Sequence, residues 1–365
     1  MKIKRSVKCS LKFTNKRKLQ TLDMIRQEYV QVVNGYIDLW WDDTPVKAEL
    51  KKDKIDLIVD TWFSQRMKQT AAREAVDMIA SARQLAKKCS KEPSKPVHTG
   101  KRMAWTSSTA NLVLSKTSEF DAWLQIRSVG NKVKLDIPIQ FHRQFNKWNA
   151  RGRRLNFYVI LQDAIQFVFE IETGPKQEPD RCVGVDTGIK KLATLNTGVM
   201  FGEDIEQIVA KIKRCEWGSK GQKRARSHLR QRMGEVAKKV CGIASLVVVE
   251  DLQKMNHKTK VKRRLTKNMR RALGAWAYSY WLNRLQMTSE ETNVSFRRVS
   301  PYYTSQRCNA CGHTERSNRN GESFLCRDCG HIDDADINAA KNILERFLTG
   351  RYGAGCKALI EQNTI

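Results

Sequence analysis

The tightest constraint in this chain is a spacing: Cys308, Cys311, Cys326 and Cys329 form C-x2-C-x14-C-x2-C. Each C-x2-C pair can fill two corners of a tetrahedron, and the 14 residues between the pairs suit a small knuckle. A redox dithiol would need only one such pair. The set therefore predicts one structural zinc ion, whose four thiolates leave no open position for hydrolysis. His313 and His331 each lie two residues past a cysteine and are alternative ligands by spacing, although solvated polar side chains are the simpler reading. Cys9, Cys89, Cys182, Cys215, Cys241 and Cys356 show no pairing pattern and read as small apolar side chains in a reducing compartment.

Charge narrows the partner. The 365 residues carry 67 Lys+Arg against 38 Asp+Glu, a formal net charge of +29. Self-repulsion of that size disfavours a compact state unless the surface serves to collect a polyphosphate. An apolar fraction of 41% is that of a globular chain, long enough for two or three domains. Lys2, Lys4, Arg5, Lys8 and Lys12 exclude a secretory signal at the start. The most apolar run, Ile243 to Val249, is far short of the roughly 20 residues a bilayer span needs. A soluble, intracellular chain with no membrane partner is expected.

Periodicity gives the organisation. Ile3, Val7, Cys9 and Leu11 alternate with Lys4, Ser6 and Lys8, the period of a half-buried strand. From 15 to 90 the apolar residues recur at helical spacing, among them Leu19, Leu22, Met24, Ile25, Tyr29, Val32, Ile79 and Leu85, predicting about three helices. Residues 87–101, with Pro93, Pro96 and Gly100, read as a linker. Strand patterns return from about 110 to 173, and Gly174, Pro175 and Pro179 mark a boundary. Beyond it the pattern predicts a hairpin over 182–197, a charged helical segment over 203–240, a buried strand over 245–249, a helix over 268–292, a strand over 294–299, the cysteine module and a last helix over 336–348.

Three acids stand where elements stop. Asp186 follows a short apolar strand in R-C-V-G-V-D-T-G, with Gly188 as a permissive residue just beyond. Glu250 ends V-V-V-E, a run too apolar for an edge strand, so its carboxylate is expected at the rim of a buried sheet. Asp336 opens the last helix, where the macrodipole favours a negative group. Asp251, Asp333 and Asp334 read as caps or turn formers. Gathering three carboxylates is unfavourable unless cations fill the gap. Two magnesium ions would do so, and the chemistry implied is phosphodiester hydrolysis.

At these residues a family resemblance emerges. The segments G-V-D-T-G-I-K-K-L-A-T-L, V-V-V-E-D-L, Y-T-S-Q-R-C-N-A-C-G, F-L-C-R-D-C-G and D-A-D-I-N-A-A-K-N-I resemble, in order, the signature blocks of the RuvC-like nuclease in TnpB proteins and the miniature type V CRISPR effectors. The resemblance covers about 180–345; the amino-terminal half is similar only in its strand, helix, strand layout. It implies an α+β multidomain chain. A wedge-type β barrel would span 1–14 and 95–174, interrupted by a helical recognition lobe at 15–94. A RuvC-like, ribonuclease-H-like α/β nuclease would span 175–300 and 336–350, with a zinc-binding target-nucleic-acid-binding knuckle at 301–335 and a tail at 351–365.

It further implies an RNA-guided DNA endonuclease with Asp186, Glu250 and Asp336 as catalytic carboxylates holding two Mg2+ ions, and Cys308, Cys311, Cys326 and Cys329 as ligands of one Zn2+. The implied partners are a guide RNA, target double-stranded DNA and its displaced single strand, with one copy or two loaded per RNA, in the cytoplasm of a prokaryote and at the nucleoid when bound to DNA. One departure is Ala335, where relatives often carry Arg between the two acids of the last motif. Two other readings share these blocks: a guide-dependent DNA binder that does not cut, and a transposase or resolvase acting without RNA.

Two basic runs flank the strand that ends in Glu250. One carries Lys220, Lys223, Arg224, Arg226, Arg230 and Arg232; the other carries Lys258, Lys260, Lys262, Arg263, Arg264, Lys267, Arg270 and Arg271, and neither holds an acid. Lys220, Lys223, Arg224, Arg226, Arg230, Arg263, Arg264, Lys267, Arg270 and Arg271 are the expected contacts to the phosphates of the guide–target duplex. Trp40, Trp41, Trp62, Trp105, Trp123 and Trp148 read mainly as packing residues.

Overall fold

The computed structural model describes residues 1–45, 47–57, 60–252 and 277–350. It divides into two compact units, Lys2–Glu172 and the residues from Thr173 onward together with Met1.

In the first unit, β1 (Lys2–Ser10) buries every second residue, as its alternation predicts. Arg5 shares the inward face with Ile3, Val7 and Cys9. Two antiparallel sheets form. One has the order β1-β7-β6-β2, with β2 at Arg102–Thr106, β6 at Gly152–Leu161 and β7 at Ala164–Glu172. The other is β3 (Ala110–Leu114), β4 (Ala122–Ile126) and β5 (Leu135–Ile139). Between β1 and β2 lie α1 (Lys16–Trp40), a single turn α2 (Lys52–Ile55) and α3 (Gln65–Cys89). Asn15 caps α1 and Ser64 caps α3, each accepting from a backbone N–H three residues on. One continuous buried cluster runs through α1, α3 and both sheets.

Leu19 and Met24 fit the helical spacing of α1 yet face solvent. Two elements were invisible to periodicity. β2 buries Met103, Ala104 and Trp105 in succession, and α4 (Arg143–Arg151) buries only Phe145 and Trp148. Neither pattern alternates long enough to carry a period. Trp40, Trp105 and Trp148 are buried, and Trp41 and Trp62 pack partly buried against the same core.

The second unit is built on a five-stranded sheet of order β10-β9-β8-β11-β12. Its strands are β8 (Cys182–Asp186), β9 (Ala193–Leu195), β10 (Met200–Phe201), β11 (Leu246–Glu250) and β12 (Ser295–Val299). β8, β11 and β12 run parallel, while β9 turns back antiparallel to β8 and to β10. The expected charged helical segment is two helices, α5 (Ile205–Arg214) and α6 (Lys220–Ile243). The break falls at Gly218, whose φ of 79° lies in the left-handed region. α7 (Tyr278–Glu291) precedes β12, and α8 (Ala335–Thr349) closes the described chain. No helix among the described residues is long and apolar enough to cross a membrane.

Period-2 alternation divides the two faces of this sheet. Val183, Val185, Val247 and Val249 pack with α5, α6 and α7. Leu246 and Val248 pack on the opposite face with Ile343, Leu344 and Phe347 of α8. Burial on both faces is why V-V-V has no polar member. α8 lies so close to β8 that a Cβ on Gly184 would sit 2.2 Å from the Ala340 carbonyl oxygen and 2.9 Å from the Leu344 amide nitrogen. Only glycine fits there. Gly184→Ala should therefore cost about 1–3 kcal/mol by overpacking, measured as a lower denaturation midpoint. A midpoint equal to that of the unaltered protein would show that α8 can lift off without cost.

Candidate active site and metal centre

The faces of the sheet decide where the carboxylates emerge. In β8, Asp186 has the parity of Cys182 and Gly184; in β11, Glu250 has the parity of Leu246 and Val248. Both therefore leave the sheet on the α8 side. β8 and β11 pair with Val185 opposite Val249, which makes Asp186 and Glu250 neighbours at the same rim. On α8, Asp336 lies one turn before Ala340, the residue that touches Gly184. A single helix–strand contact thus brings Asp336 to the rim that Asp186 and Glu250 share.

Each carboxylate has its own support. The Thr304 hydroxyl donates to Glu250 Oε1, and the Tyr278 hydroxyl donates to the Glu250 backbone carbonyl at 2.9 Å. Asp334 caps α8, accepting from the Asp336 and Ile337 amides at 2.8 and 3.2 Å, and it also accepts from Lys191 Nζ at 3.0 Å. The capping role expected of Asp334 is therefore observed. Arg319, on β13 (Arg319–Asn320), donates Nη2 to Asp336 Oδ1 at 2.7 Å. What Gly188 supplies to the loop after Asp186 is room, since a Cβ there would meet the Lys191 carbonyl at 3.1 Å.

The three carboxylates are half-buried. Burial pushes the Asp186 carboxyl well above the usual range, and the charges of Glu250 and Asp336 push it further; Arg319 opposes them. Burial also raises Glu250 to about 7, against the pull of the Thr304 hydroxyl and the Arg346 and Arg319 charges. Crowded like charges that hold protons are a site short of positive charge. An all-oxygen donor set suits a hard divalent ion, and Asp186, Glu250 and Asp336 would be its ligands. Their oxygens are less tightly drawn than the cysteine sulfurs, the group among the described residues whose donors all lie within 4.8 Å of one another.

The cysteines close a second centre. Cys308 Sγ lies 3.7 Å from Cys329 Sγ, and Cys311 Sγ lies 3.6 Å from Cys326 Sγ. Zn–S bonds of about 2.3 Å imply tetrahedral edges of about 3.8 Å, so the donor set fits zinc. The two halves share one local design. Gly312 N donates to the Cys308 carbonyl at 2.9 Å and Gly330 N to that of Cys326 at 3.1 Å. Both glycines have left-handed φ, 83° and 72°. Cys308 N and Cys326 N in turn donate to the carbonyls of His313 and His331. Four sulfurs complete a tetrahedron without either imidazole.

The knuckle is stapled to α8 through a buried polar stripe. Asn338 Nδ2 donates to the Arg307 carbonyl at 2.8 Å, Asn342 Nδ2 to the Thr304 carbonyl at 2.9 Å, and Arg346 Nη2 to the Tyr302 carbonyl at 2.7 Å. Asn338, Asn342 and Arg346 are all buried. These residues, with Thr304 and Arg319, escaped the sequence reading, although polar positions at intervals of four on an apolar helix are a legible signal. Ala335 is fully buried with Phe324, Cys308 and Cys326. No guanidinium fits there, and the cation beside Asp336 comes from Arg319 instead.

Of the predicted phosphate contacts, Lys220, Lys223, Arg224 and Arg230 are exposed on α6, and Arg226 is half-buried. Arg232 is paired with Asp204 at 2.7 Å and Glu235 at 2.6 Å, so its charge is spent within the unit. Arg263, Arg264, Lys267, Arg270 and Arg271 lie outside the described residues.

Two outcomes follow for the metal sites. Purified protein should carry one zinc per chain by elemental analysis, and Cys326→Ser should lose it together with thermal stability; a zinc-free protein of unchanged stability would oppose the assignment. The second concerns Glu250, whose folded carboxyl holds its proton up to about 7 against an ordinary 4.5. The stability it contributes is complete below the lower value and is lost as pH rises through the higher one, because the unfolded chain ionises first. Without divalent ions, the protein should therefore lose stability relative to Glu250→Gln as pH rises over that interval. Melting curves for the two proteins that shift in parallel would contradict this.

Known proteins resemble the chain. A family model described as "Cas12f1-like, TNB domain" matches residues 278–343, from α7 through the knuckle into α8. The CRISPR-associated endodeoxyribonuclease Cas12f1 of Sulfoacidibacillus thermotolerans is 40% identical over 74 residues, 20% of this chain and 18% of that protein. A TnpB-like protein of Aquifex aeolicus (strain VF5) is 29% identical over 135 residues, 34% of this chain and 43% of that protein. Both matches span less than half the length of the curated relatives. The cryo-EM structure of a Cas12f1-sgRNA-target DNA complex shares the fold over 94% of this chain and 84% of that one, with a TM-score of 0.57 at 14% identity. In its sequence blocks, its knuckle and its fold, the chain is similar to the TnpB-like proteins and miniature type V effectors.

Proposed function

We propose that this protein is an RNA-guided DNA endonuclease that binds a guide RNA, reads a short motif beside its target and hydrolyses DNA at one site formed by Asp186, Glu250 and Asp336. The observation that carries the reading is the convergence of three carboxylates from β8, β11 and α8 on one rim, where burial and mutual repulsion raise Asp186. A sheet whose strands lie in the sequence order 3-2-1-4-5, with the second reversed, supports a ribonuclease-H-like nuclease. The relative from Sulfoacidibacillus is named an endodeoxyribonuclease, and the fold neighbour was solved with a guide RNA and target DNA.

In this reading Mg2+, when bound, supplies the charge that activates a water and stabilises the leaving oxygen of the phosphodiester. The chain's own residues prepare the site. Thr304 orients the Glu250 carboxylate, Arg319 orients Asp336, and the Gly184 contact keeps α8 against the rim. A net charge of +29 offsets the repulsion between an acidic site and a polyanionic substrate. Lys220, Lys223, Arg224, Arg226 and Arg230 would meet phosphates of the guide–target duplex. The amino-terminal unit would serve as the wedge and recognition region.

The test uses the full chain with the RNA that copurifies. With magnesium and a plasmid carrying the guide-matched target, the expected products are nicked and linear DNA. Asp186→Ala should slow cleavage by more than about 100-fold while target binding persists. Guide-dependent binding without cleavage in either protein would leave a DNA-binding protein, and the absence of any defined RNA would remove the guide.

A further inference from the structure

Trp217 is 83% exposed, while Trp40, Trp105, Trp148 and Trp281 are buried in the cores. It stands in the turn between α5 and α6, and that turn is pinned from several sides. Ser219 N donates to the Glu216 carbonyl at 3.2 Å, and Gly218 takes a φ of 79°. Ser219 caps α6 by accepting from Gln222 N at 3.1 Å, and the buried Gln222 side chain reaches back to accept from Gly218 N at 3.0 Å. This reciprocal capping fixes the backbone on which the indole is held outward. The Arg226 guanidinium lies over the ring, 5.4 Å from its centroid.

The surroundings select the partner. Lys211, Lys213 and Arg214 end α5, and Lys220, Lys223 and Arg224 begin α6; all six are exposed, and Glu216 is the one acid from 211 to 232. An exposed indole set in a basic field fits a nucleic-acid base and its flanking phosphates. An apolar or acidic peptide would leave one of the two features unused.

Its position relative to the carboxylates follows from helix contacts. Arg230 lies over the Tyr280 ring, Gly234 faces Arg284, and Cys241 meets Ser289, so α6 and α7 run side by side in the same direction. α7 begins at the carboxylate rim, where Tyr278 bonds the Glu250 carbonyl. The ten residue steps from Lys220 to Arg230 carry the start of α6 about 15 Å past the level of Tyr280, at 1.5 Å per step. That is about four nucleotides at 3.4 Å each. Trp217 therefore lies beyond the end of the sheet at which Asp186 and Glu250 end their strands, on the face opposite α8.

We propose that Trp217 is a stacking platform for an unpaired base of the DNA strand running to the carboxylate rim, with the basic residues of α5 and α6 holding the adjacent phosphates. This rests on the nuclease reading for the identity of the strand, and on the exposed indole and its basic field for the contact itself. Its role is to fix the register of the strand before cleavage.

The test is fluorescence anisotropy of the full chain with a labelled single-stranded DNA 20-mer. Trp217→Ala should weaken binding about 5- to 100-fold, and Trp217→Phe should stay within about threefold of the unaltered protein because a ring remains. The slope of log affinity against log salt should not change, since stacking releases no counterions. An abasic site walked along the strand should weaken binding to the unaltered protein at one or two adjacent positions and have no further effect there in Trp217→Ala. Equal binding by Trp217→Ala, or persistence of that abasic sensitivity in it, would overturn the platform. Competition by poly-glutamate that itself depends on Trp217 would also do so. The nuclease reading is judged separately, by loss of plasmid cleavage in Asp186→Ala.

Discussion

The approach of α8 to β8 at Gly184 organises the second unit. A helix usually stands off a sheet by the length of its side chains, but here the Ala340 carbonyl lies within 2.2 Å of where a Cβ would be. Strand parity then does the rest: with α8 seated on Gly184, the even-numbered ends of β8 and β11 and the first turn of α8 face one space. The same seating turns Asn338, Asn342 and Arg346 toward the knuckle. One close contact therefore ties the carboxylate rim to the cysteine module.

The two centres satisfy opposite demands. Four cysteine sulfurs stand at the spacing that one tetrahedral ion would require, and a knuckle with a core of Cys308, Phe324, Cys326 and Ala335 has little else to hold it. The carboxylates stay further apart and lean on Arg319, Thr304 and Arg346, and burial pushes Asp186 and Glu250 toward the protonated form. Arg319 belongs to the knuckle but acts on Asp186, Glu250 and Asp336 together. A disturbance of the cysteine cluster can reach the acidic rim through that guanidinium.

Charge is distributed with similar economy. Arg232, Lys190 and Lys191 are consumed in ion pairs within the unit, while the basic residues at the start of α6 stay exposed. The difference is one of position. Arg232 lies beside Asp204 and Glu235, whereas the first turns of α6 bury Ala225 and Leu229 on one face and present basic residues with no acid beside them on the other. Trp217 stands in the turn before that helix and is left on its exposed side.

Local pattern alone was enough for much of this protein. Alternation in β1, the unbroken apolar run of β11, the spacing of α1 and α3 and the paired cysteines each follow from short-range geometry, and each is found in the structure. Asp186, Glu250 and Asp336 were recognisable as the ends of elements for the same reason. The tertiary structure decided which face of the sheet received α8, that Arg319 and not a residue at 335 would stand beside Asp336, that 203–240 would break at Gly218, and that Trp217 would remain outside. Those outcomes depend on neighbours distant in sequence, and a repeat of two or 3.6 residues records which side a residue takes but not what it meets there.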